Sequence, residues 1–375
     1  MSNQPHSHRV SKQLNVGCNF ASHIDILISA VKQAESEVFG SKLAEVYGSP
    51  RGVNPFGSVR PSRRESDSSF AEFVMNSEKL HNAGIKINLT LNSLFPHHKL
   101  SGRNSDIFDD LAARTMFKQF IQKASPYVDG WIIAHPYVID LLHKLDLETS
   151  IAISTIMNVH SLGQMHTIKR RWPQVKKVCP ALWKNRDFPW LTEANKIIPL
   201  ELLANEFCSI GGQECEGLYR QACYLSQSME TKNWNPMDVC IKERQEHPEA
   251  WLMARFILPQ WMASYKERTG VNHFKITGRT HSDAFIKRIS REYIQEKATG
   301  NLLGLWGQLE ATLGKGEQNT EHAKALGIAN IPIEEIERMI YTITCCTSDE
   351  CGVSCHYCKH LYDKITSTTK GNSNA

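Results

Sequence analysis

The stretch 197–223, IIPLELLANEFCSIGGQECEGLYRQAC, decides how the rest of the chain is read. A mostly apolar run from Ile197 to Ala204 meets Asn205-Glu206-Phe207 and then releases Cys208, Cys215 and Cys223. So short a run, bounded by polar and glycine residues, predicts a buried strand over 197–204 rather than a helix. The cysteines then begin where the strand stops, on the loop that follows. Thiolates gathered on one loop in a reducing compartment hold a metal or cluster more often than they form disulfides.

Outward from this stretch the chain repeats a strand-then-helix rhythm. Strands are expected at 13–18, 37–43, 85–91, 128–134, 150–154, 175–179, 197–204 and 273–277. Helices are expected at 22–34, 70–83, 106–124, 136–145, 161–171, 192–196, 248–267 and 281–297, the second closed by the stop signal of Gly84. Strands alternating with helices predict parallel βαβ units. Eight units over roughly 290 residues fit an α/β fold of the (β/α)8 TIM-barrel type better than an open sheet. No G-x-G-x-x-G follows the first strand, which removes the dinucleotide-binding signature. The expected organisation is a disordered lead-in at 1–12, the barrel at 13–300 with a cluster-binding loop at 205–240, and a small C-terminal cysteine-rich extension at 301–375.

Composition limits the function classes. The 375 residues are 41% hydrophobic with a net charge of +4, enough for a sizeable core and only mildly basic. Nucleic acid is permitted as a partner and not demanded. No segment approaches the ~20 apolar residues of a membrane span, and the first residues carry no hydrophobic signal core. The expectation is a cytoplasmic protein without a membrane partner.

Eleven cysteines are unevenly placed. Cys18 and Cys179 stand alone, while Cys208, Cys215, Cys223 and Cys240 share one stretch and Cys345, Cys346, Cys351, Cys355 and Cys358 share another. Four thiolates supply the full ligand set of a [4Fe–4S] or [2Fe–2S] cluster, and soft sulfur selects iron–sulfur or zinc over hard cations. Inert buried thiols are the plainer reading of any cysteine pair, but four on one polar, glycine-containing loop argue against it. Cys346-x4-Cys351-x3-Cys355-x2-Cys358 suggests a second iron–sulfur cluster or a zinc site, or a donor that completes the first.

In (β/α)8 barrels the chemistry sits at the C-terminal ends of the strands. Those ends carry Cys18, Asn92, His135, Ser154-Thr155, Asn205-Glu206 with Cys208, and Thr277-Gly278-Arg279. Glu206 and His135 are the candidate proton-transfer groups, and Arg279 a further catalytic candidate. Arg60 on the long loop 48–69, with Lys275 and Arg279 at the last strand, is a candidate for binding an acidic ligand, because guanidinium groups capture carboxylates and phosphates bidentately. Lys169-Arg170-Arg171 and Lys176-Lys177 read as an exposed helix end. No G-x-S-x-G, H-E-x-x-H or P-loop is present.

Six segments taken in order, VNPFGSVRPSRRE, KINLTLNSLF, WIIAHPYVIDLLHKL, TSIAISTIMNV, LELLANEFC and FKITGRTHSDAFIKRISREY, resemble the U32 peptidase-like family over roughly residues 14–297. That family is named for a collagenase-like protease activity, and other members resemble oxygen-independent hydroxylases that carry a [4Fe–4S] cluster. They act in ubiquinone synthesis and on tRNA or ribosomal RNA, some with prephenate as cosubstrate. The resemblance implies Cys208, Cys215, Cys223 and Cys240 as cluster ligands, with the pattern departing from the family after Cys215. Cys346, Cys351, Cys355 and Cys358 resemble a tail of a divergent branch. The implied substrate is a small molecule or RNA, and the implied partner a further copy or a related U32-like subunit. Three functions follow as expectations: a redox or hydroxylating enzyme, a collagenase-like peptidase, or a noncatalytic iron–sulfur subunit of a heteromeric hydroxylase.

Overall fold

The computed structural model describes residues 12–36, 40–50, 53–54, 56, 69–91, 97–100, 103–106, 110–145, 149–206, 208, 246–279, 281–306, 331–344, 346 and 354–371. Arg60, Cys215, Cys223, Cys240 and Cys351, and the lead-in 1–11, lie outside them.

Eight parallel strands form a nearly closed barrel. They are β1 (Lys12–Gly17), β2 (Ser41–Gly48), β3 (Lys86–Leu91), β6 (Gly130–Ile133), β7 (Ser150–Ile153), β8 (Val175–Val178), β9 (Glu201–Leu203) and β10 (His273–Ile276). The sheet runs β8-β7-β6-β3-β2-β1-β10-β9. A parallel bridge between Val178 and Leu200, with Val178 N–H donating to Pro199 O at 3.0 Å, joins the two ends. An antiparallel hairpin, β4 (His97–Leu100) with β5 (Arg103–Asp106), is inserted after β3.

Around the barrel lie α1 (Ile24–Ser36), α2 (Phe70–Asn82), α3 (Leu111–Ala124), α4 (Pro136–His143), α5 (Leu162–Arg171), α6 (Phe188–Ile197), α7 (Met262–Thr269) and α8 (Asp283–Ile294). Their starts follow from side-chain capping, which satisfies amides that have no partner inside the helix. Ser69 with Glu72 and Ser161 with Gln164 build reciprocal capping boxes on α2 and α5.

The apolar residues of the strands face outward, onto the helices. Leu14, Val16, Ile87, Leu89, Trp131, Ile133, Ile151, Ile153, Leu202, Phe274 and Ile276 all belong to one large core with the helices. Tyr47, Ile132 and Ala152 form a separate small cluster, as do Cys179, Leu182 and Leu203. Strands buried on both faces usually read as continuous apolar runs. Here the inward positions are instead largely polar, which is what positions the site.

Four sequence expectations shift. The second strand is Ser41–Gly48, not 37–43. The strand expected at 197–204 shortens to Glu201–Leu203, because Asp187 caps a helix that runs to Ile197. The helix expected from 106 begins at Leu111, where the Asp110 side chain accepts from Ala112 N–H and Ala113 N–H, and Asp106 is in β5. The helix expected over 248–267 splits into Ala250–Met253 and α7, with extended chain and Pro259 between them.

Beyond the barrel, Ile331, Ile333, Ile336, Met339 and Ile343 join the same core. Trp261 Nε1 donates to Glu337 O at 2.7 Å. The helix α9 (Tyr357–Gly371) packs against Ala250–Met253.

Candidate active site at the barrel mouth

Inside the barrel, the layer below the mouth is ionic. Lys177 Nζ donates to Glu201 Oε1 at 2.9 Å and to Glu45 Oε2. Asn15 Nδ2 donates to Glu201 Oε1 at 2.9 Å, and Asn88 Nδ2 to Glu45 Oε2 at 2.8 Å. Lys275 Nζ stands 3.6 Å from Glu201 Oε2. Two lysines and two glutamates from four strands therefore neutralise one another. Room for the layer comes partly from Gly130, where a Cβ would lie 2.5 Å from Asn88 Oδ1 and 2.6 Å from Ser150 Oγ.

Burial alone would raise the Glu201 carboxyl, yet Lys177, Lys275 and the Asn15 hydrogen bond overcome it and hold the group at about 2. Burial acts against the Lys177 ammonium in the same way, and Glu201 with Glu45 pushes it above its ordinary range. Desolvated charges persist only where partners of opposite sign repay the lost hydration.

The layer above is the mouth. Lys275 Nζ lies 3.8 Å from the centroid of the Tyr47 ring. Burial raises the Tyr47 phenol, Arg279 opposes that rise, and Glu201, Cys179 and Glu206 add to it. These residues therefore share one electrostatic environment. Cys179, directly after β8, is pushed up to about 12 by burial, against Lys275 and hydrogen bonding with Thr155. Cys208 packs against Cys179, Leu182 and Leu203.

The rim is held by Asn205, whose Oδ1 accepts from Thr277 N–H at 2.6 Å and from Thr277 Oγ1 at 3.0 Å. Its Nδ2 donates to Thr277 O at 3.1 Å and Leu305 O at 3.3 Å. Asn205 thus ties the end of β9 to the end of β10, and so ties the segment carrying Glu206 and Cys208 to the one carrying Arg279. Gly278 makes the turn to Arg279 with φ 153°, where a Cβ would meet Ile286 Cδ1 at 2.6 Å.

Of the expected site residues, Glu206, Cys208, Lys275 and Arg279 converge on this mouth. Lys275 stands one layer inside the rim. His135 sits at the end of β6 as the N-cap of α4, its Nδ1 accepting from Tyr137 N–H at 3.2 Å. Cys18 is buried, and burial keeps its thiol protonated. Cys346, Cys355 and Cys358 lie on the C-terminal segment, the first and third half-buried and the second exposed. Lys177 is not on an exposed helix end but inside the barrel. Sequence reading missed Tyr47, Glu45, Lys177, Glu201, Asn15 and Cys179. The signal available was charge at alternate positions of strands that βαβ units enclose on both faces.

A family profile described as "Peptidase family U32" matches residues 51–300. An uncharacterized protease of Methanocaldococcus jannaschii is 28% identical over 195 residues, 50% of this chain and 55% of its own length. The chain therefore spans about half the length of the curated relative it matches. A solved U32 peptidase structure is similar with a TM-score of 0.44 at 9% identity, covering 74% of this chain and 96% of that one. A β-1,4-mannanase structure gives a TM-score of 0.38 at 9% identity, covering 76% and 98%.

Proposed function

The chain belongs to peptidase family U32, and from that premise we propose that it is an iron–sulfur enzyme of the oxygen-independent hydroxylase type, acting at its barrel mouth. The supporting observation is the sulfur at that mouth: Cys208 leaves β9 onto the rim and packs against Cys179 on an apolar wall. Thiol sulfur is a soft donor that favours iron–sulfur or zinc over hard cations. The ligands would be Cys208 with Cys215, Cys223 and Cys240. Once bound, a [4Fe–4S] cluster would supply one-electron chemistry beside the substrate.

The chain's own residues would bind and orient. Arg279, with Arg60, would hold the carboxylates of an acidic cosubstrate that serves as oxygen donor, prephenate being the candidate. Lys275, against the Tyr47 ring, would add positive potential from below. Glu206 would exchange a proton with substrate at the rim. The substrate class is a small molecule or an RNA-borne group.

A second reading, peptidase, draws on the protease name carried by the M. jannaschii relative. In it Glu206 would activate water. Cys179 fits that reading poorly as a nucleophile, since burial holds its thiol protonated.

The deciding experiment is anaerobic purification with iron and sulfide analysis and EPR of the reduced protein. Iron and sulfide in equal amounts, diminished by Cys208→Ala, support the hydroxylase-type reading. A colourless, iron-free protein that cleaves peptides overturns it.

A further inference from the structure

Two turns meet where β1 and β10, neighbours in the sheet, reach the mouth. In the turn after β1, Asn19 O accepts from Ser22 N–H at 3.2 Å and from His23 N–H at 3.0 Å, and Asn19 Oδ1 accepts from Ala21 N–H at 3.0 Å. The turn after β10 is closed by His281 N–H donating to Gly278 O at 2.8 Å, and Arg279 follows Gly278 in it. Gly17 lets the two turns approach, because a Cβ there would lie 3.1 Å from Arg279 N and 3.2 Å from Gly278 N.

The imidazole of His23 joins them. It is fully buried. Its Nδ1 accepts from Asn19 N–H at 3.0 Å, and its Nε2 lies 3.2 Å from His281 O. An amide N–H only donates and a carbonyl only accepts, so one arrangement satisfies both contacts: a neutral ring with its proton on Nε2. A second proton would sit on Nδ1, facing the Asn19 N–H, and would break that contact. Among the described residues the charged group facing the ring is Asp283 of α8, with Oδ1 3.6 Å from Nε2. Burial holds the imidazole below its ordinary 6.5, although the His281 carbonyl and Asp283 both favour the charged ring. The neutral contact is therefore complete above about pH 6.5 and is lost as pH falls through the lower folded value.

We propose that His23 is a positioning residue: it clamps the Arg279 turn to the turn after β1, fixes the backbone from which Arg279 reaches an acidic ligand, and lets go in acid. Asn205 secures the same strand end from the other side through Thr277, so the start of the Arg279 turn is held by both neighbours of β10. A guanidinium pairs bidentately with a carboxylate only when its plane is held in register, so the backbone beneath it bears on affinity. Capture of the ligand rests on the reading of Arg279 given above; the clamp does not.

The test uses the full chain beside three variants. His23→Gln keeps one donor and one acceptor on a side chain that does not titrate, His23→Phe fills the space with neither, and Arg279→Ala removes the guanidinium. Amide hydrogen exchange of the peptide 277–283, read by mass spectrometry, reports the clamp without a ligand. At about pH 8, His23→Phe is expected to exchange there about tenfold faster than wild type, and His23→Gln at nearly the wild-type rate, with β3 unchanged in both. The ratio of wild-type to His23→Gln exchange cancels the intrinsic effect of pH, and is expected to rise severalfold from about pH 8 to about pH 4. Malonate, a small dicarboxylate, is the ligand probe, titrated calorimetrically. Binding that Arg279→Ala abolishes is expected to weaken about tenfold in His23→Phe and to return in His23→Gln. Exchange in His23→Phe equal to wild type, a wild-type to His23→Gln ratio that is flat with pH, or Arg279-dependent malonate binding indifferent to His23→Phe overturns the proposal. Should His23→Phe not fold, the pH dependence of that ratio still decides. Failure of the acidic-ligand reading is distinguishable, because malonate then fails to bind or binds without Arg279, and it takes the ligand half of the proposal with it while the exchange still judges the clamp.

Discussion

The barrel interior and the C-terminal flank each bury two cations, and they treat them in opposite ways. Inside the barrel, Lys177 and Lys275 meet Glu201 and Glu45, and asparagines from β1 and β3 take up further oxygen lone pairs. At the flank, Arg186 meets backbone carbonyls, an aromatic ring and thiols, and Arg255 has a buried Nε with no acceptor. The first set is electrically complete within the chain. The second has main-chain carbonyls and a ring in place of carboxylates among the described residues. Buried charge is therefore neutralised by carboxylates in one place and solvated by main-chain dipoles in the other.

Glu201→Gln is the most damaging change this contrast predicts. It removes the charge that faces both lysines and leaves them desolvated, a loss of about 3–5 kcal/mol for breaking a buried ion pair. Urea denaturation of the variant against wild type measures it, and a loss below about 1 kcal/mol would mean that water already reaches the layer. Acid is the second test. The Glu201 carboxyl lies at about 2 in the folded protein against an ordinary 4.5, so the unfolded chain takes up protons first as pH falls. Its contribution is full above about pH 4.5 and is lost progressively as pH drops through about 2. At 1.36 kcal/mol per unit the shift corresponds to about 3 kcal/mol. The difference between wild-type and Glu201→Gln unfolding free energies should shrink over that window.

Much of the barrel was legible because its helix-facing strand residues are apolar, so Leu14 and Val16, Ile87 and Leu89, and Ile151 and Ile153 announced their strands. The interior was not, and for one physical reason: local sequence shows a charge but not its distant partner. Glu45 and Lys177 lie 132 residues apart. Without the partner, Lys177 resembled surface, and the polar face of β2 shifted the expected strand toward 37–43. The mouth was half legible. Strand-end logic found Glu206, Cys208 and Arg279, but not Tyr47, which lay outside the misplaced strand, nor Cys179, which had no second cysteine nearby in sequence. Arg255 had no signal at all, because local sequence does not show that an arginine is buried.

Lys275→Met probes the same interior layer more gently. Glu201 would keep Lys177 at 2.9 Å and the Asn15 hydrogen bond, and the ammonium lost is the more distant one at 3.6 Å. A destabilisation of about 1–2 kcal/mol is expected, from the uneven charge and the lost contact with the Tyr47 ring. Chemical denaturation checks it. A cost equal to that of Glu201→Gln would show that the four charges act as an indivisible unit, and a double variant of Lys275 and Glu201 would then measure the coupling.

The smallest effect is expected from Arg255→Met, and it separates the two regions most cleanly. Replacing a charge that has a partner strands that partner; replacing one that has none strands nothing. Methionine keeps most of the apolar stem and fills the same space, so the exchange should fall within about 1 kcal/mol of neutral. Thermal and urea unfolding of the variant beside wild type give the number. A loss near that of Glu201→Gln would mean that Arg255 has an anionic partner within the chain, and the contrast between an interior balanced by carboxylates and a flank without them would collapse.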